Sequence, residues 1–81
     1  MTVRACVRRT DQYLYTPLRV EPTLHSNEDG EVSNEEIVTV TDEVFSDSVK
    51  WAHITMDSGA SGYIKFAYCC PLARGRRGKV A

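Results

Sequence analysis

The chain has 81 residues, of which 42% are hydrophobic and 26% are charged, and its formal net charge is −1. This length accommodates one domain and leaves no room for two, and the composition is ordinary for a soluble globular fold. The longest apolar runs extend over a few residues, far short of the roughly 20 that a transmembrane helix needs. Length and composition therefore exclude a two-domain architecture and a transmembrane helix for this chain.

Charge is distributed unevenly along the sequence. Residues 1–20 hold four Arg and one Asp, residues 21–57 hold ten acids and one base, and residues 65–81 hold five bases and no acid. Oppositely charged patches of this kind steer partners or join neighbouring copies. The alternative is that the acids line solvated loops while the bases lie at the chain ends.

The N-terminal segment does not resemble a secretory signal. Residues 1–9 alternate basic and apolar side chains and contain no continuous apolar segment. We therefore expect the protein to be synthesised and used inside a cell, or assembled into a particle there.

Five segments have the residue pattern of β-strands, and none has the three- to four-residue spacing of apolar side chains that indicates a helix. The first segment, residues 2–8, has the alternating pattern of a β-strand and places three apolar side chains on one face. The second, residues 13–20, is rich in aromatic and β-forming residues, and Pro17 predicts an edge or a bend at its middle. A loop over residues 22–30 follows, closing with an Asp-Gly turn signal.

The second half of the chain continues this pattern. Residues 37–41 are the clearest strand because nearly all are β-branched. A polar stretch over 42–49 leads to a strand over 50–56, and a hairpin connection over 57–61 leads to extended residues 62–69. Short strands separated by turns predict an all-β fold, and this length fits a five-stranded barrel better than a seven-stranded sandwich. The predicted core side chains are Val32, Val38, Val40, Ala52, Ile54 and Ile64.

The three cysteines are Cys6, Cys69 and Cys70. An odd number without a signal peptide argues against a disulfide framework. The terminal strands of small barrels often meet, so a bridge from Cys6 to Cys69 is geometrically conceivable, but buried reduced thiols are the favoured interpretation. His25 and His53 do not supply the paired spacing of a zinc site, and we predict no metal and no cofactor.

Four short motifs occur in order between residues 18 and 69. Residues 18–22 read L-R-V-x-P, and residues 30–40 hold a glycine, a valine two positions later, a turn and a V-x-V strand. Residues 51–54 read W-x-x-I, and residues 62–68 read G-Y-I followed by a tyrosine. Together they resemble the SH3-like domains, most closely the bacterial type. The resemblance implies a five-stranded SH3-like barrel over residues 1–71, followed by a basic Arg/Gly-rich tail over residues 72–81.

The sequence also departs from that family in informative ways. Glu35 stands where the bacterial pattern has a turn glycine, although Asn34 can take the left-handed conformation instead. Lys65 and Ala67 replace the proline and asparagine that shape the eukaryotic groove for Pro-rich peptides, and Trp51 stands alone where that family has a tryptophan pair. The resemblance therefore implies the fold, and not recognition of PxxP ligands.

Trp51 is the first candidate for partner binding. It lies opposite the apolar face of its strand, so we expect it to point outward and to form an aromatic shelf with Tyr13, Tyr15 and Tyr68. The alternative is that Trp51 closes an open end of the barrel, because small folds use large aromatic side chains for sealing.

Two charged segments are further candidates. Glu28 and Asp29 in the predicted loop would attract a basic partner, or are solvated loop charges. The tail resembles flexible Arg/Gly segments that contact nucleic-acid phosphates, but a docking arm that orders on a protein partner is favoured. The basic residues of this arm are Arg74, Arg76, Arg77 and Lys79.

Catalysis has little support in the sequence. The two histidines are isolated, and a meeting of Cys69 with His53 on adjacent strands would still need an oriented third group and an enclosed pocket. No glycine-rich phosphate loop opens a helix. We predict a protein without enzymatic activity, a membrane contact or a small-molecule substrate.

Three functional hypotheses follow. The first is an interaction module or small structural subunit of a larger assembly, such as a virus-like particle, that contacts proteins through the aromatic face and the basic arm. The second is recognition of cell-wall peptide or polysaccharide in the manner of bacterial SH3 domains. The third is nucleic-acid contact through the tail.

Overall fold

Alternating apolar and polar residues give seven β-strands in a computed structural model, which describes residues 3–72. The strands are β1 (Val3–Val7), β2 (Tyr15–Arg19), β3 (Glu28–Ser33), β4 (Ile37–Ser46), β5 (Val49–Met56), β6 (Ser61–Lys65) and β7 (Cys69–Pro71). A single 3-10 turn, Phe66–Tyr68, joins β6 to β7. The prediction of an all-β fold is confirmed. Over residues 3–72, no helix has the length and apolar character needed to cross a membrane.

The strands form one antiparallel sheet in the order β3-β2-β6-β5-β4-β1-β7. Strands β4, β5 and β6 follow one another as a meander, and β1 and β7 extend the sheet beyond β4. The hairpin of β2 and β3 lies at the opposite end, where β2 pairs with β6. The sheet is not closed, and β3 and β7 are its two edges.

One cluster of buried side chains forms the core, and its members come from every strand. All six predicted core residues are buried in this cluster, so that part of the prediction is confirmed. The cluster consists of Ala5, Val7, Leu18, Val32, Val38, Val40, Ala52, Ile54, Ile64 and Cys69.

Strand β3 corrects the expected loop over residues 22–30, because the last three of those residues belong to the strand. Between Pro17 and Arg19 the β2 strand advances two positions, whereas the opposing β3 strand advances three, from Glu31 to Glu28. The extra residue is accommodated by Gly30, whose φ is +94°. A glycine in this region is typical of a β-bulge, so the Asp-Gly signal marks a bulge and not a chain reversal.

The polar stretch 42–49 is also more regular than expected. Strand β4 continues to Ser46, β5 begins at Val49, and only Asp47 and Ser48 connect them. Both have positive φ, 57° and 62°, as a two-residue hairpin turn of type I′ requires. These polar residues therefore form a solvent-exposed hairpin end instead of a loop.

The turn between β3 and β4 places Glu35 itself in the left-handed region, with φ 74°. Asn34 instead uses its side chain, since Nδ2 donates to the Tyr13 carbonyl at 3.1 Å and Oδ1 accepts from the Arg9 amide at 3.2 Å. The Glu35 carboxylate accepts from Arg8 at 2.8 and 2.9 Å, and these hydrogen bonds lower the pKa of Glu35. Asn34 therefore ties the loop after β1 to the β3–β4 turn.

The cysteines lie on the two neighbouring strands β1 and β7. Cys6 is paired in register with Cys70, whereas Cys69 is opposite Val7, and none of the three is bridged. Burial raises the pKa of Cys69 to about 11 and also raises that of Cys6. The cysteine opposite Cys6 is thus Cys70. The raised pKa values keep the thiols of Cys6 and Cys69 in their neutral form.

Gly62 allows β2 to approach β6 closely. A Cβ atom at this position would lie 3.0 Å from both the Arg19 carbonyl oxygen and Leu18 Cβ. Since Arg19 is also the β2 residue paired with β6, opposite Tyr63, the attachment of the hairpin depends on the missing side chain.

Gly62→Ala is expected to lower the free energy of unfolding by about 1–3 kcal/mol, because the added methyl group overpacks the β2–β6 contact. Tryptophan emission should shift to longer wavelength as the hairpin moves away from Trp51. Urea unfolding and emission spectra measure both effects, with Ser61→Ala on the exposed neighbouring position as the control. Equal stability of Gly62→Ala and the unaltered protein would contradict the close approach.

Candidate functional site: a basic and aromatic pocket

Trp51 lies near the start of β5, and its side chain is 0% exposed. The expectation that it points outward is therefore wrong. Alternation along β5 places Trp51 on the face opposite Ala52, and Arg19 from β2 lies over the indole ring. The indole Nε1 donates to the Ser46 carbonyl at 2.9 Å, which satisfies the buried donor. Trp51 is therefore an interior side chain and does not form an exposed aromatic shelf.

A small pocket of about 60 Å³ lies against the Trp51 side chain. The loop after β1, the strands β2, β5 and β6, and the 3-10 turn all contribute to it, so the topology of the sheet creates it. We call it the basic–aromatic pocket. Its lining residues are Arg9, Thr16, Pro17, Arg19, Trp51, Ile64, Lys65 and Tyr68.

Arg9 is held between two tyrosines. Its guanidinium carbon lies 5.0 Å from the ring centre of Tyr13 and 4.8 Å from that of Tyr68, distances typical of cation–π contacts. It donates to both carboxylate oxygens of Asp11 at 2.9 and 2.7 Å, to the Tyr15 carbonyl at 3.2 Å and to the Tyr68 hydroxyl at 3.3 Å. These contacts fix a side chain that is only 16% exposed.

Arg19 covers Trp51 from the β2 side. Its guanidinium carbon lies 5.9 Å from the indole centre, and its side chain is 19% exposed. Nη1 donates to the Leu24 carbonyl at 3.2 Å, and Nη2 lies 3.8 Å from a Glu28 carboxylate oxygen. Arg19 is thus oriented by the β2–β3 hairpin.

Lys65 provides the third cation at the pocket. Its Nζ lies 5.9 Å from the Tyr68 ring centre. Within residues 3–72, its Nζ forms no salt bridge with a carboxylate. Its charge is therefore available to a ligand at the pocket.

Thr16 is the buried polar residue of the pocket. The residue is 3% exposed, and its Oγ1 has no hydrogen-bond partner among the residues that the structure describes. An unpaired buried hydroxyl costs about 1–3 kcal/mol of desolvation. Such an atom in a native fold requires a specific explanation.

The structure brings together three of the four predicted aromatic residues. Tyr13 and Tyr68 meet through Arg9, and Trp51 lies on the floor of the same pocket. Tyr15 offers its carbonyl to Arg9, but its side chain is exposed and does not line the pocket.

The predicted acidic and basic residues are placed separately. Glu28 reaches the pocket rim through Arg19, whereas Asp29 is exposed in the bulge of β3. Both belong to a strand, not to the expected loop. The predicted arm residues lie outside residues 3–72 and have no structural description; they are Arg74, Arg76, Arg77 and Lys79.

Sequence reasoning did not select Arg9, Thr16 or Arg19. A usable signal exists, because residues 9–19 place two tyrosines between two arginines, an arrangement that favours stacked cations. Thr16 carries no such signal, since its burial depends on β2 docking onto β6.

His53 does not meet Cys69 through a hydrogen bond in the described part of the chain. Its Nδ1 lies 2.7 Å from Thr41 Oγ1, and its ring packs edge-on against Tyr63 with centres 4.9 Å apart. Over the same residues 3–72, no group of three His, Cys, Asp or Glu side chains is arranged to hold a metal ion.

The chain matches no protein-family model, no curated protein and no solved structure. The function of the pocket has therefore to be inferred from its own chemistry.

Thr16→Val should raise the free energy of unfolding by about 1 kcal/mol, because valine keeps the branched shape and removes the unpaired hydroxyl. Thr39→Val is the matched control, since Thr39 Oγ1 accepts a hydrogen bond from Arg4 at 3.0 Å. Urea unfolding of both variants measures the difference. A lower stability for Thr16→Val than for the unaltered protein would show that the hydroxyl is paired.

The carboxyl group of Asp11 should titrate below its ordinary range, because the hydrogen bonds from Arg9 lower its pKa. A lowered pKa stabilises the fold above about pH 4, and this contribution is lost as the pH falls through the lowered pKa. NMR titration of the carboxyl carbon measures it. Arg9→Gln should return the pKa of Asp11 toward its ordinary value, whereas Arg8→Gln should not. Identical titrations in the unaltered protein and both variants would contradict the hydrogen bonds from Arg9 to Asp11.

Proposed function

We propose that this protein is a non-catalytic SH3-like interaction module, or a small structural subunit of a larger assembly. It contacts protein partners through an aromatic face beside the basic–aromatic pocket, and the basic C-terminal arm adds a second contact. The surface around Tyr13 is the observation on which this proposal rests.

The strand order supports the SH3-like assignment. Strands β6, β5, β4, β1 and β7 are consecutive neighbours and would make up the five strands of a small barrel. The β2–β3 hairpin would then be the long insertion between its first two strands. The 3-10 turn before β7 contains Tyr68, the tyrosine of the closing motif.

Three consecutive apolar side chains are exposed next to the pocket. Tyr13 is 56% exposed, Leu14 is 74% exposed and Tyr15 is 48% exposed. Single exposed apolar residues are common, whereas three exposed in succession favour an interaction site. We call these three residues the tyrosine patch.

The backbone of the tyrosine patch is held in place although it belongs mostly to a loop. The Tyr13 amide donates to Asp11 at 3.2 Å, and the Tyr13 carbonyl accepts from Asn34 at 3.1 Å. The Asn34 amide donates to the Leu14 carbonyl at 2.8 Å. A loop fixed in this way loses little conformational entropy when a partner binds.

The double variant Tyr13→Ser, Leu14→Ser should lose bound protein partners with a loss of stability of no more than about 1 kcal/mol, because both side chains are exposed and Tyr13 gives up only its cation–π contact with Arg9. Native mass spectrometry of protein purified from its source reports the partner. The matched control is Leu24→Ser, Phe45→Ser, which removes two exposed apolar side chains elsewhere.

A monomeric protein with no associated chain would contradict the proposal, as would equal loss of the partner from both double variants. A chain ended after Pro71 removes the arm alone. If its complex is unaffected, the contact is confined to the tyrosine patch.

A further inference from the structure

We propose that the basic–aromatic pocket binds one carboxylate side chain from an acidic segment of the partner protein. This inference rests on the proposed function and names the ligand chemistry of the same surface. Cation placement, charge balance, a buried hydroxyl and pocket size each contribute to it.

Three cations line a pocket that can hold little more than a functional group. Arg9 and Arg19 are mostly buried and fixed by hydrogen bonds, and Lys65 completes the set. Most donors of Arg9 are occupied by Asp11, Tyr15 and Tyr68, so Arg9 contributes mainly its charge. Arg19 donates one hydrogen bond within residues 3–72, and its remaining donors can bind a planar oxyanion.

The local charge selects a monoanion. Arg9 is paired with Asp11, and Arg19 lies near Glu28, so two carboxylates face three cations. One positive charge is therefore left, and a single carboxylate balances it. A phosphate dianion would add a surplus negative charge beside Asp11 and Glu28.

Thr16 provides independent support. Its hydroxyl is a donor with no partner, and the residue is 97% buried at the pocket, since only 3% of it is exposed. A carboxylate accepts hydrogen bonds and donates none. A ligand carboxylate within hydrogen-bond distance of Oγ1 would satisfy the hydroxyl and remove its desolvation cost.

The size and floor of the pocket fit an acidic side chain. A volume of about 60 Å³ corresponds to roughly four water-sized spheres, enough for a carboxylate and an adjoining methylene group. Trp51, Pro17 and Ile64 give an apolar floor for the methylene group. The flanking residues of the ligand would then lie over the tyrosine patch, which Arg9 joins to the pocket through Tyr13.

The test compares two end-capped pentapeptides that differ only in a central glutamate or glutamine. Trp51, the single tryptophan, lines the pocket, and its emission reports binding. The glutamate peptide should bind at least tenfold more tightly, and the preference should shrink as salt rises.

Single substitutions distinguish a specific binding site from non-specific electrostatic attraction. Arg19→Gln should weaken binding of the glutamate peptide about tenfold, and Thr16→Val should weaken it about three- to tenfold while the fold stays intact. The matched charge control is Arg4→Gln, which should change binding less than twofold. Arg4 pairs with Asp57 and does not line the pocket.

Equal binding of the two peptides would overturn the proposal, as would an equal effect of Arg4→Gln and Arg19→Gln. A phosphoserine peptide that binds tenfold more tightly than the glutamate peptide would assign the pocket to phosphate instead.

The partner complex distinguishes this inference from the function on which it rests. If the complex depends on the tyrosine patch but neither Arg19→Gln nor excess glutamate peptide releases the partner, the carboxylate ligand is wrong and the interaction module stands. If the purified protein carries no partner, the proposed function fails even where the peptide binds.

Discussion

The pairing of β2 with β6 is the contact on which the site depends. It places Arg19 over the buried Trp51, and at about 25 cal/mol per Å² the full burial of a tryptophan contributes roughly 4–6 kcal/mol. The absent side chain of Gly62 permits this contact, and Arg19 lies where the two strands pair. One packing contact therefore completes the core and forms the floor of the pocket.

Electrostatics then gives that floor its chemistry. Arg9 and Arg19 stack on aromatic rings, and carboxylates beside them offset part of their charge, so both can be largely buried. These carboxylates leave a small positive excess at the pocket. A surface of this kind discriminates between ligands by the position and number of the charges that reach the pocket, and less by the total charge of the ligand.

Local periodicity determines which parts of this structure can be predicted. Val38, Val40 and Ile54 were assigned to the core because alternation along one strand is visible in a few residues. Trp51 follows the same alternation, yet its outward face is covered by residues more than 30 positions earlier in the chain, which no local pattern reports. The turn at Asp47 and the bulge at Gly30 cannot be predicted locally, because both are polar signals whose outcome depends on strand pairing.

The β2–β3 hairpin is joined internally by four paired positions, but Arg19 opposite Tyr63 is its one paired position with β6. A unit that is cohesive within itself and has one paired position with the sheet can open as a unit, and its opening exposes the core side chains Leu18 and Val32. Its opening would separate Arg19 and Thr16 from Trp51. A ligand that contacts both the hairpin and Trp51 would then hold the hairpin closed. Its binding would slow hydrogen exchange at the backbone amides of this hairpin.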